Sequence, residues 1–174
     1  REGYFGVDQL PLPGVAIQAD LSQPLDLLPD NSVGEIVSSH CFEHVSNFMS
    51  LIQEMHRVVR PGGRIVTIVP HFSNPYFYSD PTHVRFFGLY TMFYFVSPEK
   101  QPGERKVPCF YSPARFSVDE IKINLMPRSL WSRIRWPFLS RHINSSFARA
   151  EWYERTLCWQ VPANEIIYTM TPIK

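Results

Sequence analysis

Residues 46–70 read SNFMSLIQEMHRVVRPGGRIVTIVP. With Val45 just before it, the apolar residues Phe48, Leu51, Ile52, Met55, Val58 and Val59 recur at helical spacing. Asn47, Ser50, Gln53, Glu54, Arg57 and Arg60 take the other face. Ser46 is placed to cap the amino end, and Pro61-Gly62-Gly63 stops the helix and turns the chain. Arg64 to Val69 then reads as a strand covered on both faces, which implies a parallel sheet. Helix, turn and buried strand in that order predict a strand-helix-strand crossover, provided a strand precedes them.

Three short strands do precede them. Tyr4–Asp8 ends in a carboxylate, and Leu10–Gly14 is a turn-rich link too short for a helix. Val15–Asp20 is a second strand, again ending in Asp. After a turn at Pro29–Ser32, Gly34–Ser39 is a third, running into His40. Downstream the pattern loosens. Residues 71–115 are rich in aromatics and Pro, with one helix expected near Val84–Phe95. Phe116–Leu125 alternates as a strand does, residues 127–150 mix Trp, Arg and Phe, and Glu165–Ile173 is a closing strand, antiparallel to the one at 116–125. The fold class expected is α/β, a mostly parallel sheet with an antiparallel C-terminal strand pair. One domain is expected over residues 1–174, with 1–70 one half, 71–163 an irregular region and 164–174 the closing strand.

Composition narrows the function. A net charge of +1 provides no basic field for a nucleic-acid backbone, so nucleic acid is not an expected partner. Cys41, Cys109 and Cys158 are odd in number and widely spaced, which fits neither a disulfide framework nor a zinc cage and points to the cytoplasm. Most of the 16 prolines fall after residue 70, so the two halves differ in character.

In open parallel sheets, ligands bind at the carboxyl ends of the strands. Here those ends carry Asp8, Asp20 and Ser39-His40. A carboxylate there can accept from both hydroxyls of a ribose, and one a strand over can accept from an exocyclic amine. Each Asp alone could equally be a turn cap; two in one train of strands favour the ligand reading.

On GVD at 6–8, ADL at 19–21, LPDNSVGEIVSSHCFEHV at 28–45 and EMHRVVRPGGRIVTIVP at 54–70, the chain resembles the class I S-adenosylmethionine-dependent methyltransferases, in their small methyltransferase-domain branch. The resemblance implies a Rossmann-like sheet, S-adenosylmethionine as cofactor, and methyl transfer to a small-molecule or glycan acceptor. It implies that Asp8 binds the ribose hydroxyls, that Asp20 and the Leu21 backbone read the adenine, and that Ser39 and His40 flank the methionine part. Glu43 and His44, expected to open the next helix, would brace the site. The family's glycine-rich loop and the strand carrying it have no counterpart in residues 1–174. By the resemblance that strand lies between the Asp8 strand and the 34–39 strand, and the natural protein is expected to continue upstream.

Candidate bases cluster in HFSNPYFYSDPTHVRFF at 71–87: His71, Asp80 and His83. Asp80 could orient His83 as a catalytic dyad, or cap a helix starting at Pro81. His40, His44, His71, Asp80 and His83 lack a compact metal motif such as HExxH, and no metal is expected. Trp131–Arg141 interleaves apolar and cationic residues, as a lid, an oligomer contact or a peripheral membrane contact would. A non-catalytic binding or scaffold domain keeping this fold without the cofactor is the alternative function.

Overall fold

The computed structural model describes the backbone of residues 3–126 and 130–174, and side chains outside 130–135. Two sheets organise it. In the first, β1 (Gly6–Asp8) and β2 (Val15–Gln18) pair in parallel, with Asp8 beside Gln18. In the second, β3 (Val33–Ser39), β4 (Val59–Pro70), β5 (Arg115–Leu125) and β6 (Ala163–Ile173) lie in the order β3-β4-β6-β5. β3 and β4 are parallel, and β6 runs antiparallel to both β4 and β5. The result is the mixed α/β, Rossmann-like arrangement expected, closed by an antiparallel C-terminal pair.

α1 (Phe48–Val58) forms where the apolar spacing predicts it and buries Phe48, Leu51, Ile52, Met55 and Val58. Asn47 rather than Ser46 is the residue at its amino end, and no side chain caps it there. The helix passes straight into β4, whose first residues include the Pro-Gly-Gly turn. Gly62 has φ 72°, and a Cβ on Gly63 would fall 2.7 Å from the Gly34 carbonyl oxygen, so both positions need glycine.

β4 is fully covered on one face only. Ile65, Thr67 and Val69 are buried, whereas Val66 and Ile68 are half-buried, because the described covering elements gather on one side of the sheet. Register carries the buried face across the strands: Ile65, Thr67 and Val69 pair with Met170, Tyr168 and Ile166, all buried. Phe48 links α1 to this core, with ring centroids 5.8 Å from Phe42, 5.6 Å from Phe87 and 6.0 Å from Phe95.

The irregular region departs most from expectation. Instead of a helix near Val84–Phe95 there is a 3-10 turn at Thr91–Phe95, and the stretch before it is held by single contacts, among them the Val84 amide donating to the Glu43 carbonyl at 2.8 Å. Residues 127–150, unassigned from sequence, contain α2 (Leu130–Ile143) and lead into α3 (Phe147–Thr156). α2 escapes a periodicity reading because Pro137 lies inside it and its apolar residues form no single stripe. The expected membrane-contact stretch falls within α2. The side chains of 131–135 lie outside the described residues, and Phe138 is 77% exposed. No described helix is long and apolar enough to cross a membrane.

Candidate functional site

The carboxyl ends of β1, β2 and β3 converge. The Ala19 amide donates to the Asp8 carbonyl at 3.0 Å, so Asp8 and Asp20 sit at the same end of one two-strand ladder. The Asn47 side chain reaches the Ser22 carbonyl at 3.4 Å, tying the β2 end to the start of α1. Cys41 lies close enough to both Asp8 and Glu43 that their charges, added to the larger effect of burial, push its thiol up. The β2 end is thus held against the start of α1, and Asp8 lies near enough to the residues that follow β3 to act on Cys41.

Each acid is pre-set by its own turn. Asp8 Oδ1 accepts the Leu10 amide at 2.9 Å; among the described residues Oδ2 carries no hydrogen bond. Asp20 Oδ1 accepts the Ser22 hydroxyl at 2.7 Å and the Ser22 amide at 2.9 Å, which hold its carboxyl below the usual carboxylate range. Both are therefore turn caps and still offer a free oxygen, so the two readings of a strand-ending Asp coexist. Leu21 is half-buried against the core. Ser39 is exposed, and His40 stands at φ 49°, a left-handed conformation uncommon outside glycine. That turn aims the half-exposed His40 ring between two carboxylates, Glu43 at 3.4 Å and Glu165 at 3.5 Å.

The three expected bases divide. His71 is fully buried; Nδ1 lies 2.8 Å from the Ser73 hydroxyl and Nε2 3.1 Å from Glu154 Oε1. Glu154 Oε1 also accepts the Leu89 amide at 2.6 Å, so this network ties the end of β4 to α3 and presents no free nitrogen. Glu154 was not foreseen, since 83 residues separate it from His71 and no local motif marks it. Asp80 and His83 do approach, Oδ2 to Nε2 at 3.7 Å. Asp80 caps a turn, not a helix: its Oδ1 accepts the Thr82 hydroxyl at 2.5 Å and the Thr82 amide at 2.9 Å, and its carboxyl is held low by them. Beside this pair Tyr76, Tyr78 and Phe86 are exposed, while Phe77 is buried against His83.

A separate cleft of about 410 Å³ lies between β5 and the α2–α3 turn, bordered by Phe93, Val118 and Ser145. Val118 is level with Met170 and Ile65, at the start of the Arg64–Val69 run, so this cleft opens at the end of the sheet opposite the acids.

Known proteins share this fold. The family model for the methyltransferase domain matches residues 7–67, which contain Asp8, Asp20 and His40. The YcgJ protein of Bacillus subtilis superposes with a TM-score of 0.53 at 16% identity, covering 98% of this chain and 82% of that one. A chain from the complex of the Haloferax volcanii Trm112 methyltransferase activator with a candidate methyltransferase gives 0.55 at 13% identity, covering 98% and 72%. By fold, the chain is similar to solved S-adenosylmethionine-dependent methyltransferases. A SAM-dependent methyltransferase from Archaeoglobus fulgidus gives 0.50 at 19% identity, covering 96% of this chain and 75% of that one. No curated protein matches in sequence. Within the methyltransferase fold the acids occupy the carboxyl ends of adjacent parallel strands, where open α/β sheets take their ligands.

Proposed function

We propose that the protein transfers a methyl group from S-adenosylmethionine to a small-molecule or glycan acceptor. The observation that carries this is the convergence of Asp8, Asp20 and the β3 end on one rim, each acid keeping an unbonded oxygen. The residues fit a nucleoside. Asp8 Oδ2 would accept from the ribose hydroxyls, and Asp20 Oδ2 with the Leu21 backbone would take the adenine edge. Ser39 and His40 would flank the methionine part, with His40 steadied by Glu43 and Glu165.

The cofactor supplies an activated methyl group, so this chain's part is alignment of the acceptor and removal of its proton. His71, enclosed and doubly bonded, is a brace. Asp80 and His83 would meet the acceptor, near the exposed rings of Tyr78 and Phe86, which offer flat apolar faces to a sugar or planar metabolite. The exposed Phe138 on α2 would add a surface contact.

Calorimetry with S-adenosylhomocysteine and the full-length protein tests the reading. Binding that falls at least about tenfold in Asp8→Ala supports it, tenfold being about 1.4 kcal/mol. No binding by the parent protein would leave the non-catalytic alternative standing.

A further inference from the structure

Glu43 is fully buried, and neither of its carboxylate oxygens has a hydrogen-bond partner among the described residues. An ionised carboxylate in that condition is costly unless a cation compensates it. Around it stand three imidazoles and, among the described residues, no Lys or Arg ion-pair partner: His40 Nδ1 at 3.4 Å, with His44 and His83 each offering a donor atom, such that one donor from each of Glu43, His44 and His83 lies within 4.8 Å of the others.

The hydrogen bonds of the two histidines fix which nitrogen is free. His83 Nδ1 faces the Phe77 carbonyl at 3.0 Å, an acceptor only, so Nδ1 carries the proton and Nε2 keeps its lone pair. Thr82 gives its hydroxyl proton to Asp80, so at the 2.9 Å contact with His44 the threonine oxygen accepts from Nδ1–H. His44 Nε2 therefore also keeps a lone pair. Outer bonds of this kind are what orient metal-ligating imidazoles. The rings are already adjacent, with centroids 4.7 Å apart.

We infer that Glu43, His44 and His83 form a binding site for a divalent transition-metal ion. Two imidazole nitrogens with one carboxylate suit zinc or its neighbours, whereas magnesium and calcium favour oxygen ligands. Binding an ion would draw these donors in to the spacing set by metal–ligand bonds of about 2.0–2.2 Å. Three protein ligands leave positions open, and the exposed His44 puts them within reach of solvent. With Asp80 beside His83 and His40 beside Glu43, the ion lies between the β3 end and the acceptor side, where it would hold and acidify an acceptor hydroxyl. That role rests on the methyl-transfer reading; the site itself does not.

The full-length protein, stripped with chelator and dialysed, is titrated with Zn²⁺ and with Co²⁺. One ion per chain is expected, with the Co²⁺ form showing visible absorption of a low-coordinate site. His44→Ala and Glu43→Gln should each weaken Zn²⁺ binding by at least about tenfold, and His142→Ala should leave it unchanged. His44 is exposed, so its replacement tests the site even if Glu43→Gln fails to fold. No uptake, uptake of Mg²⁺ but not Zn²⁺, or Zn²⁺ uptake unaffected by His44→Ala would overturn the inference. S-adenosylhomocysteine binding measured on the same stripped samples separates the two claims, since it should persist without metal if the cofactor reading holds.

Discussion

Asp8 and Asp20 do the same kind of local work, each closing a turn with one oxygen, yet they differ in their surroundings. Asp8 is half-buried and near enough to Cys41 to raise its thiol, whereas Asp20 is exposed. An exposed carboxylate gains less from a hydrogen bond to ligand, because water competes for both groups. Asp20→Ala should therefore weaken S-adenosylhomocysteine binding less than Asp8→Ala, as a side-by-side titration would show. His40 offers a second test at this scale. A residue with a Cβ in the left-handed region is strained by about 1–2 kcal/mol, so His40→Gly should melt above His40→Ala, and both should bind the cofactor product more weakly than the parent. Equal melting of the two variants would mean that the φ of 49° carries no strain. The sequence marked both acids and His40, because a polar residue at the end of an apolar run is visible locally. It could not show the bend at His40 or the enclosure of His71, which depend on Glu165 and Glu154, far along the chain.

At the scale of elements, α1 is where sequence and structure agree best, since seven apolar residues at helical spacing leave it one face to bury. Its polar face was legible only as polar. In the structure that face clamps the 25–30 loop: Arg57 donates to the carbonyls of Leu25 at 3.1 Å and Leu28 at 2.9 Å, and pairs with Asp30 and Glu54 at 2.7 Å each. Glu54 in turn accepts the Leu25 amide at 2.9 Å. Arg57→Ala should destabilise the protein by roughly 2 kcal/mol in urea titrations. The Arg57 hydrogen bond is the main cause holding the Glu54 carboxyl below its usual value. A lowered carboxyl stabilises the fold above its unfolded pKa, and that stability is lost as pH falls through the folded value. Stability should therefore drop as pH falls below about 4.5, and Glu54→Gln should flatten that part of the profile. α2 and α3 were missed for a different reason. Neither presents a clean apolar stripe, and the turn between them is held by tertiary contacts, the paired bonds between the Asn144 side chain and the Ile123 backbone at 2.7 and 2.9 Å.

Across the whole molecule, one apolar cluster joins α1, the covered face of the larger sheet, the 87–95 segment and α3. Phe48 sits at its centre, and Arg85 lies over its ring with the guanidinium carbon 4.8 Å from the centroid. Phe48→Ala should cost about 3–5 kcal/mol and loosen the Arg85 segment, residues 80–87, which hydrogen exchange would register as lost protection there. The smaller sheet adds little to this core. The central claim is that the cofactor lies across the ends of β1, β2 and β3, held by Asp8. A crystal structure of the full-length protein with S-adenosylhomocysteine tests it most directly. The account predicts both ribose hydroxyls within about 3 Å of the Asp8 carboxylate, with the sulfur beside His40. A nucleoside bound at the opposite end of the sheet, in the cleft beside Val118, would contradict it.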